Sequence, residues 1–136
     1  MENSGLILLS TSTVNNNNGS YTVTKLYKAS NTAKDTTYNT YGIKDVTHYE
    51  SDDSITWQYT LTGYFTVTSG VSSVCTNATY SQYINASGWY FNNGSATYSG
   101  NTAYGVGTYK YKILFITIQT IDIDISISCD IYGNLT

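Results

Sequence analysis

The chemistry open to this 136-residue sequence is limited by its scarcest side chains: one histidine (His48), two cysteines (Cys75 and Cys129) and nine carboxylates. A structural zinc site needs about four thiolate or imidazole ligands at short spacings. One histidine and no Cys-x-x-Cys pair do not supply them, and a Cys–His nucleophile lacks support for the same reason. His48, Asp45 and any of the serines would make the residue types of a hydrolase triad, but no Gly-x-Ser-x-Gly turn is present to present the nucleophile. Glu50, Asp52 and Asp53 cluster without the spacing of a calcium loop. Asp122 and Asp124 stand two apart, a pair suited to acid–base work or to Ca²⁺, but equally suited to keeping an isoleucine-rich strand soluble. No catalytic residue, metal ligand or cofactor is assigned, and the chain is expected not to be an enzyme.

Binding chemistry has more to draw on. The sequence holds 15 Tyr, and 51 of its residues are Ser, Thr or Asn. Trp89, Tyr90 and Asn92 form the best glycan-stacking candidate, an aromatic pair beside an amide; against it stands the ordinary use of tyrosine to fill strand positions. Six Lys, no Arg and a net charge of −3 leave no phosphate-binding footprint, so nucleic acid is not expected as a partner. No apolar run reaches the 18 or more residues of a spanning helix. Lys25, Lys28 and Lys44 are candidates, by composition alone, for the Lys–Asn cross-links of some Gram-positive surface proteins.

Strands must position these groups. From Ile55 to Thr68, Ile55, Trp57, Tyr59, Leu61, Gly63, Phe65 and Val67 alternate with polar residues. This is the period of a strand with one buried and one wet face. Gly63 on the apolar side marks a bulge, a bend or a close approach. Ile121, Ile123, Ile125, Ile127, Cys129 and Ile131 alternate with Asp and Ser, whereas Ile116 and Ile118 fall on the opposite parity. The switch predicts a β-bulge at Gln119-Thr120. Further strands are expected over 20–28, 42–49, from Val71 through Cys75, over 79–84, 96–99 and 102–112. Residues 29–41 read as a long loop or a turn of helix and Asn93-Gly94 as a hairpin turn. About seven to nine strands and no long helix predict an all-β, antiparallel, jelly-roll-like sandwich. Cys75 and Cys129 both lie on apolar parities, so they are expected to meet in the core. In an exported protein they would form a disulfide, stabilising by about 4 kcal/mol in the chain-entropy model.

The residues Trp57-x-Tyr59-x-Leu61-x-Gly63-x-Phe65, Cys75, Trp89, Ser99 to Gly105, Tyr109-Lys110-Tyr111-Lys112, Ile116 to Thr120 and Cys129 together resemble a group of small secreted proteins of Gram-positive, AT-rich bacteria. The resemblance spans residues 57–129. It implies export and a β-fold, and it carries over no activity and no site residue. An extracellular or cell-surface location follows from it. Residues 1–14 lack the basic start and long apolar run of a signal peptide, so a signal has been removed or export takes another route.

The N-terminus divides the chain into an arm with an Asn-rich linker (1–19) and a β-domain (20–136). Leu6, Ile7, Leu8, Leu9 and Val14 make an apolar strand, and Asn15 to Gly19 read as a flexible tether. That layout is what donation of a strand to a neighbouring copy requires, although the arm could also pair with its own sheet. The leading expectation is a self-assembling extracellular fibre or surface-matrix subunit. The alternative is a carbohydrate-binding module or adhesin.

Overall fold

The computed structural model describes residues 5–30 and 36–136. Eight strands run in order: β1 (Leu6–Asn15), β2 (Tyr21–Ala29), β3 (Thr37–Tyr49), β4 (Ile55–Thr68), β5 (Ser72–Ile84), β6 (Trp89–Ser99), β7 (Thr102–Ile113) and β8 (Ile116–Ser128). They form a five-stranded sheet, β1-β2-β3-β4-β5, and a three-stranded sheet, β6-β7-β8. Every neighbouring pair is antiparallel. The two sheets face each other as a sandwich, as the alternating sequence predicts. Each sheet is a meander, and the chain changes sheet once, between β5 and β6.

The core grows from the apolar row of β4. Trp57, Tyr59, Leu61, Phe65 and Val67 are all buried, and they meet Ala103, Tyr109, Ile123 and Ile127 from the opposite sheet. Trp57 and Tyr109 stack face to face across the layers, with centroids 4.0 Å apart and planes 11° apart. The approach is possible because β7 presents bare backbone. A Cβ at Gly105 would lie 2.6 Å from the Tyr59 hydroxyl oxygen, and one at Gly107 would lie 2.5 Å from the Phe91 ring. The phenols that enter this interior find acceptors. Tyr59 donates to the Val106 carbonyl at 3.1 Å and Tyr109 to the Gln58 carbonyl at 2.9 Å. Gly63 is a close approach too, since its Cβ would lie 2.8 Å from that of Ala103.

Several boundaries differ from the sequence reading. The stretches around Cys75 and over 79–84 are one strand, β5, with Thr76 bulged out opposite the Tyr64–Phe65 step. Strand β3 begins at Thr37, well inside the expected loop; residues 31–35 of that loop, and 1–4 of the arm, lie outside the described residues. Asn93-Gly94 is a bulge within β6 rather than a hairpin turn. Asn93 takes φ 57°, and the space a Gly94 side chain would need is filled by Tyr80 and Phe91. The bulge predicted at Gln119-Thr120 occurs one residue upstream, where Ile118 is left between the pairs Tyr111–Gln119 and Lys112–Thr117. Asn15 to Gly19 are not a loose tether. They close a hairpin in which Asn18 Oδ1 accepts from both the backbone N–H and the hydroxyl of Ser20, at 3.0 and 2.6 Å.

The layers are unequal. Strand β8 lies over β3 and β4, β7 over β4 and β5, and β6 beside β5, which leaves β1 with no strand above it. The apolar packing makes one expectation concrete. Gly107→Ala should destabilise the protein by about 1–3 kcal/mol through overpacking against Phe91, whereas Val106→Ala, on the outer face, should change stability by less than about 0.5 kcal/mol. Urea denaturation monitored by Trp fluorescence measures both.

Candidate functional site

Three surfaces gather the residues singled out by the sequence. The first is the pair of free sheet edges. Strand β1 hydrogen-bonds to β2 from Asn15 back to Leu6, so the arm is self-paired in this structure. It is held by little else. Every residue from Ile7 to Asn15 is exposed, with Leu8 at 50% and Val14 at 64%. At the other sheet, β8 pairs with β7 along one side. Among the described residues, its other side is paired only at its end, where Ser128 and Thr136 exchange backbone hydrogen bonds of 3.0 Å each. Lys44 reaches across from β3 and donates to the Ser126 carbonyl at 2.7 Å.

The β7–β8 connection adds an apolar tip that sequence reasoning did not single out. Ile113 pairs with Ile116 across a two-residue turn, and Leu114 and Phe115 at the tip are 84% and 98% exposed. Leu114 takes φ 58°, a conformation that favours Gly or Asn. The signal was present in the sequence as Ile113-Leu114-Phe115-Ile116, but an unbroken apolar run reads as buried strand rather than as a turn.

The second surface is the proposed glycan platform, and the structure takes it apart. Trp89 is 8% exposed and packs in the core against His48, Trp57 and Tyr111. Tyr90 is 55% exposed and points to the opposite side, with the Lys112 ammonium 5.4 Å from its ring centre. Successive strand residues face opposite ways, so Trp89 and Tyr90 cannot stack on one ligand. Asn92 shares the outer face with Tyr90. The tyrosines that do cluster outward are on the five-stranded sheet, where Tyr21 stacks on Tyr49 at 5.0 Å and Tyr41 lies 6.2 Å from Tyr64.

The third surface is the end of the sandwich near His48. A hollow of about 250 Å³ there is bordered by His48, Glu50, Trp89, Tyr111 and Gln119. His48 is buried, stacks on Trp57 at 5.2 Å and shares a hydrogen bond of 2.9 Å between Nδ1 and the Thr22 hydroxyl. Burial lowers its pKa from the ordinary 6.5, against a smaller opposing pull from Glu50. Asp45, the second member of the imagined triad, is on the opposite face of β3, so no dyad forms.

The acidic groups are dispersed over separate donors. Glu50 accepts from the Thr56 hydroxyl at 2.8 Å, Asp52 from Ser54 at 2.6 Å, Asp53 from the Tyr21 hydroxyl at 2.6 Å and Asp122 from Thr108 at 2.9 Å. No group of three or more His, Cys, Asp or Glu side chains suited to a metal ion occurs among the described residues. No helix among them is long and apolar enough to cross a membrane.

Cys75 and Cys129 are both buried in the core, as expected, but they are free thiols and the expected disulfide is not formed. The two lie on either side of the β6–β7 turn, whose Gly100 and Asn101 carbonyls accept from their backbone N–H groups. Each sulfur is directed to a local acceptor, Cys75 Sγ to the Asn77 carbonyl at 3.4 Å and Cys129 Sγ to that of Asp130 at 3.5 Å. Burial raises both thiol pKa values.

No known protein family, curated protein or solved structure matches this chain.

Two outcomes follow from the titratable groups. Above pH 6.5 the imidazole is neutral in both the folded and unfolded states. Below it the unfolded chain takes up a proton that the fold excludes, so stability should fall with pH. Urea midpoints measured from pH 7.5 down to 5.0 should show that loss, and His48→Phe should flatten the curve over the same range. Both thiols should resist Ellman's reagent in the native protein and react fully in guanidinium chloride.

Proposed function

We propose that this protein is a self-associating subunit of an extracellular fibre or surface matrix, built by adding strand β1 of one copy to the free edge of β8 in the next. One observation carries this reading: five strands are packed against three. The smaller sheet ends at β8, whose outer edge carries no neighbouring strand among the described residues, while β1 extends the larger sheet beyond it. The chain has a segment suited to it, since Leu6 to Leu9 are apolar, yet none of them is fully buried and Ile7, Leu8 and Leu9 stay 42–50% exposed where they lie. The open stretch of β8 begins with Ile116 and Ile118, both well exposed, and adjoins the Ile113–Ile116 tip. An apolar strand laid there would cover side chains that water now meets, and its backbone would complete the ladder.

The contact joins different surfaces on the two copies, so it does not close on itself and generates a chain of subunits. The acceptor is not obstructed by charge at that end: the acidic residues of β8, Asp122 and Asp124, stand farther along on its outer face. The Ser-, Thr- and Asn-rich surface and the resemblance to secreted proteins support an extracellular setting.

The test is sedimentation velocity with negative-stain microscopy on the full chain and on a Leu8→Lys/Ile118→Lys variant. The wild type should form larger species as concentration rises, and the variant should stay monomeric. Both side chains are exposed in the monomer, so its unfolding free energy should shift by less than about 1 kcal/mol. A wild type that remains monomeric at every concentration would end this reading.

A further inference from the structure

The outer face of the five-stranded sheet is a second surface, one that strand addition leaves unused. Two hollows lie on it. The larger, about 600 Å³, is bordered by Lys25, Tyr27, Asp45, Thr47, Tyr49 and Gln58. The smaller, about 410 Å³, opens where the Thr76 bulge spreads β4 from β5, and Tyr41, Tyr64 and Asn77 border it. Both draw on the outward row of β3. Asp45 and Tyr41 are four residues apart on that row, which is about 13 Å along the strand. One extended ligand can therefore span both.

The lining has the character that a sugar demands. Phenol rings offer flat apolar surface to the C–H face of a pyranose, and amides, hydroxyls and a carboxylate offer partners to its hydroxyls. Several of these groups are already oriented. Gln58 Nε2 donates to Thr47 at 2.9 Å, the Thr60 hydroxyl donates to Asp45 at 2.8 Å, and Tyr49 is braced by Tyr21 with the rings 15° from parallel. Phosphate is a poor fit, because Lys25 faces Asp45 across the strands and the chain has no Arg. An aliphatic ligand would strand the Thr and Gln groups without partners. Burial raises the pKa of Asp45 despite the opposing effects of Thr60 and Lys25, so this carboxylate is kept partly desolvated on a face that is otherwise open.

We propose that this face binds a neutral, hydroxyl-rich oligosaccharide lying along β3, with Tyr49 holding a sugar at one end and Tyr41 and Tyr64 holding another farther along. The site replaces the Trp89–Tyr90–Asn92 platform and does not depend on self-association.

The test is affinity electrophoresis of the full chain through gels containing hydroxyethylcellulose, xylan, laminarin or glycol chitin. Calorimetry with the hexasaccharide and disaccharide of any retarding polymer follows. At least one polymer should retard the protein, and its hexasaccharide should bind at least tenfold more tightly than its disaccharide. Tyr49→Ala and Tyr64→Ala should each weaken binding at least tenfold, and Tyr49→Phe should retain it. Tyr90→Ala, on the other sheet, should bind as the wild type does. Near-UV circular dichroism confirms that each variant is folded. Migration unchanged in all four gels would overturn the proposal, as would folded Tyr49→Ala and Tyr64→Ala variants that bind normally, or an equal loss in Tyr90→Ala.

Discussion

The stack of Trp57 on Tyr109 is the contact on which the rest of the sandwich depends. It joins the two sheets at the center of an aromatic cluster that also takes in His48, Trp89 and Phe91. Rings of this size bury much apolar surface, and stacked pairs add about 0.5–1.5 kcal/mol beyond burial. They also set the spacing that every other side chain must match. Gly105 and Gly107 are the matching concession on β7, and Gly63 is the one on β4. At each of them the backbone of one sheet meets side chains that would otherwise have nowhere to go. His48 belongs to the same cluster. Its burial follows from its place against Trp57, and that burial makes its protonation a liability rather than a catalytic asset.

The same packing explains why the edges are unusual. The aromatic cluster needs β3, β4 and β5 opposite β6, β7 and β8, and those six strands complete it. Strand β2 still contributes Leu26 to the core, and β1 continues the larger sheet past the cover that the smaller one provides. A strand that is hydrogen-bonded but at most half-buried gains less from the hydrophobic effect, so β1 is attached chiefly by its ladder and its turn. An apolar segment in that position is well placed for exchange between copies, because the donor leaves few side-chain contacts behind. The apolar tip at Leu114 and Phe115 lies on the other sheet and so gives the molecule two different apolar surfaces, the condition for open-ended association.

The two faces of β4 divide the labour. Inward, large apolar and aromatic residues make the core. Outward, Gln58, Thr60, Thr62, Tyr64 and Thr66 join the tyrosines of β2 and β3 in a surface that is polar without being strongly charged. A chain with few charged residues keeps its solubility through hydroxyls and amides, and those groups are also the ones that recognise sugars.

Much of this was legible in the sequence wherever the side-chain period of two ran unbroken. Strand β4 was read to the residue, and the parity switch before Ile121 located the Ile118 bulge to within one position, because a one-residue slip reverses every side chain that follows. Burial of Cys75 and Cys129 followed from parity in the same way. Local sequence could not decide what depends on the partner strand. Asn93-Gly94 has the composition of a turn, yet Tyr80 and Phe91 pack against it and the ladder to β7 continues through it as a bulge. Trp89 and Tyr90 are neighbours in sequence and suggest one platform, but only the position of the opposite sheet decides which of them faces the core. The tyrosines of the outer face are scattered over β2, β3 and β4 and become a surface only through strand register. The arm's composition made it apolar and strand-forming. That it lies on β2, uncovered, was decided by the unequal width of the two sheets, which is a property of how strands pair at long range and is written in no single segment.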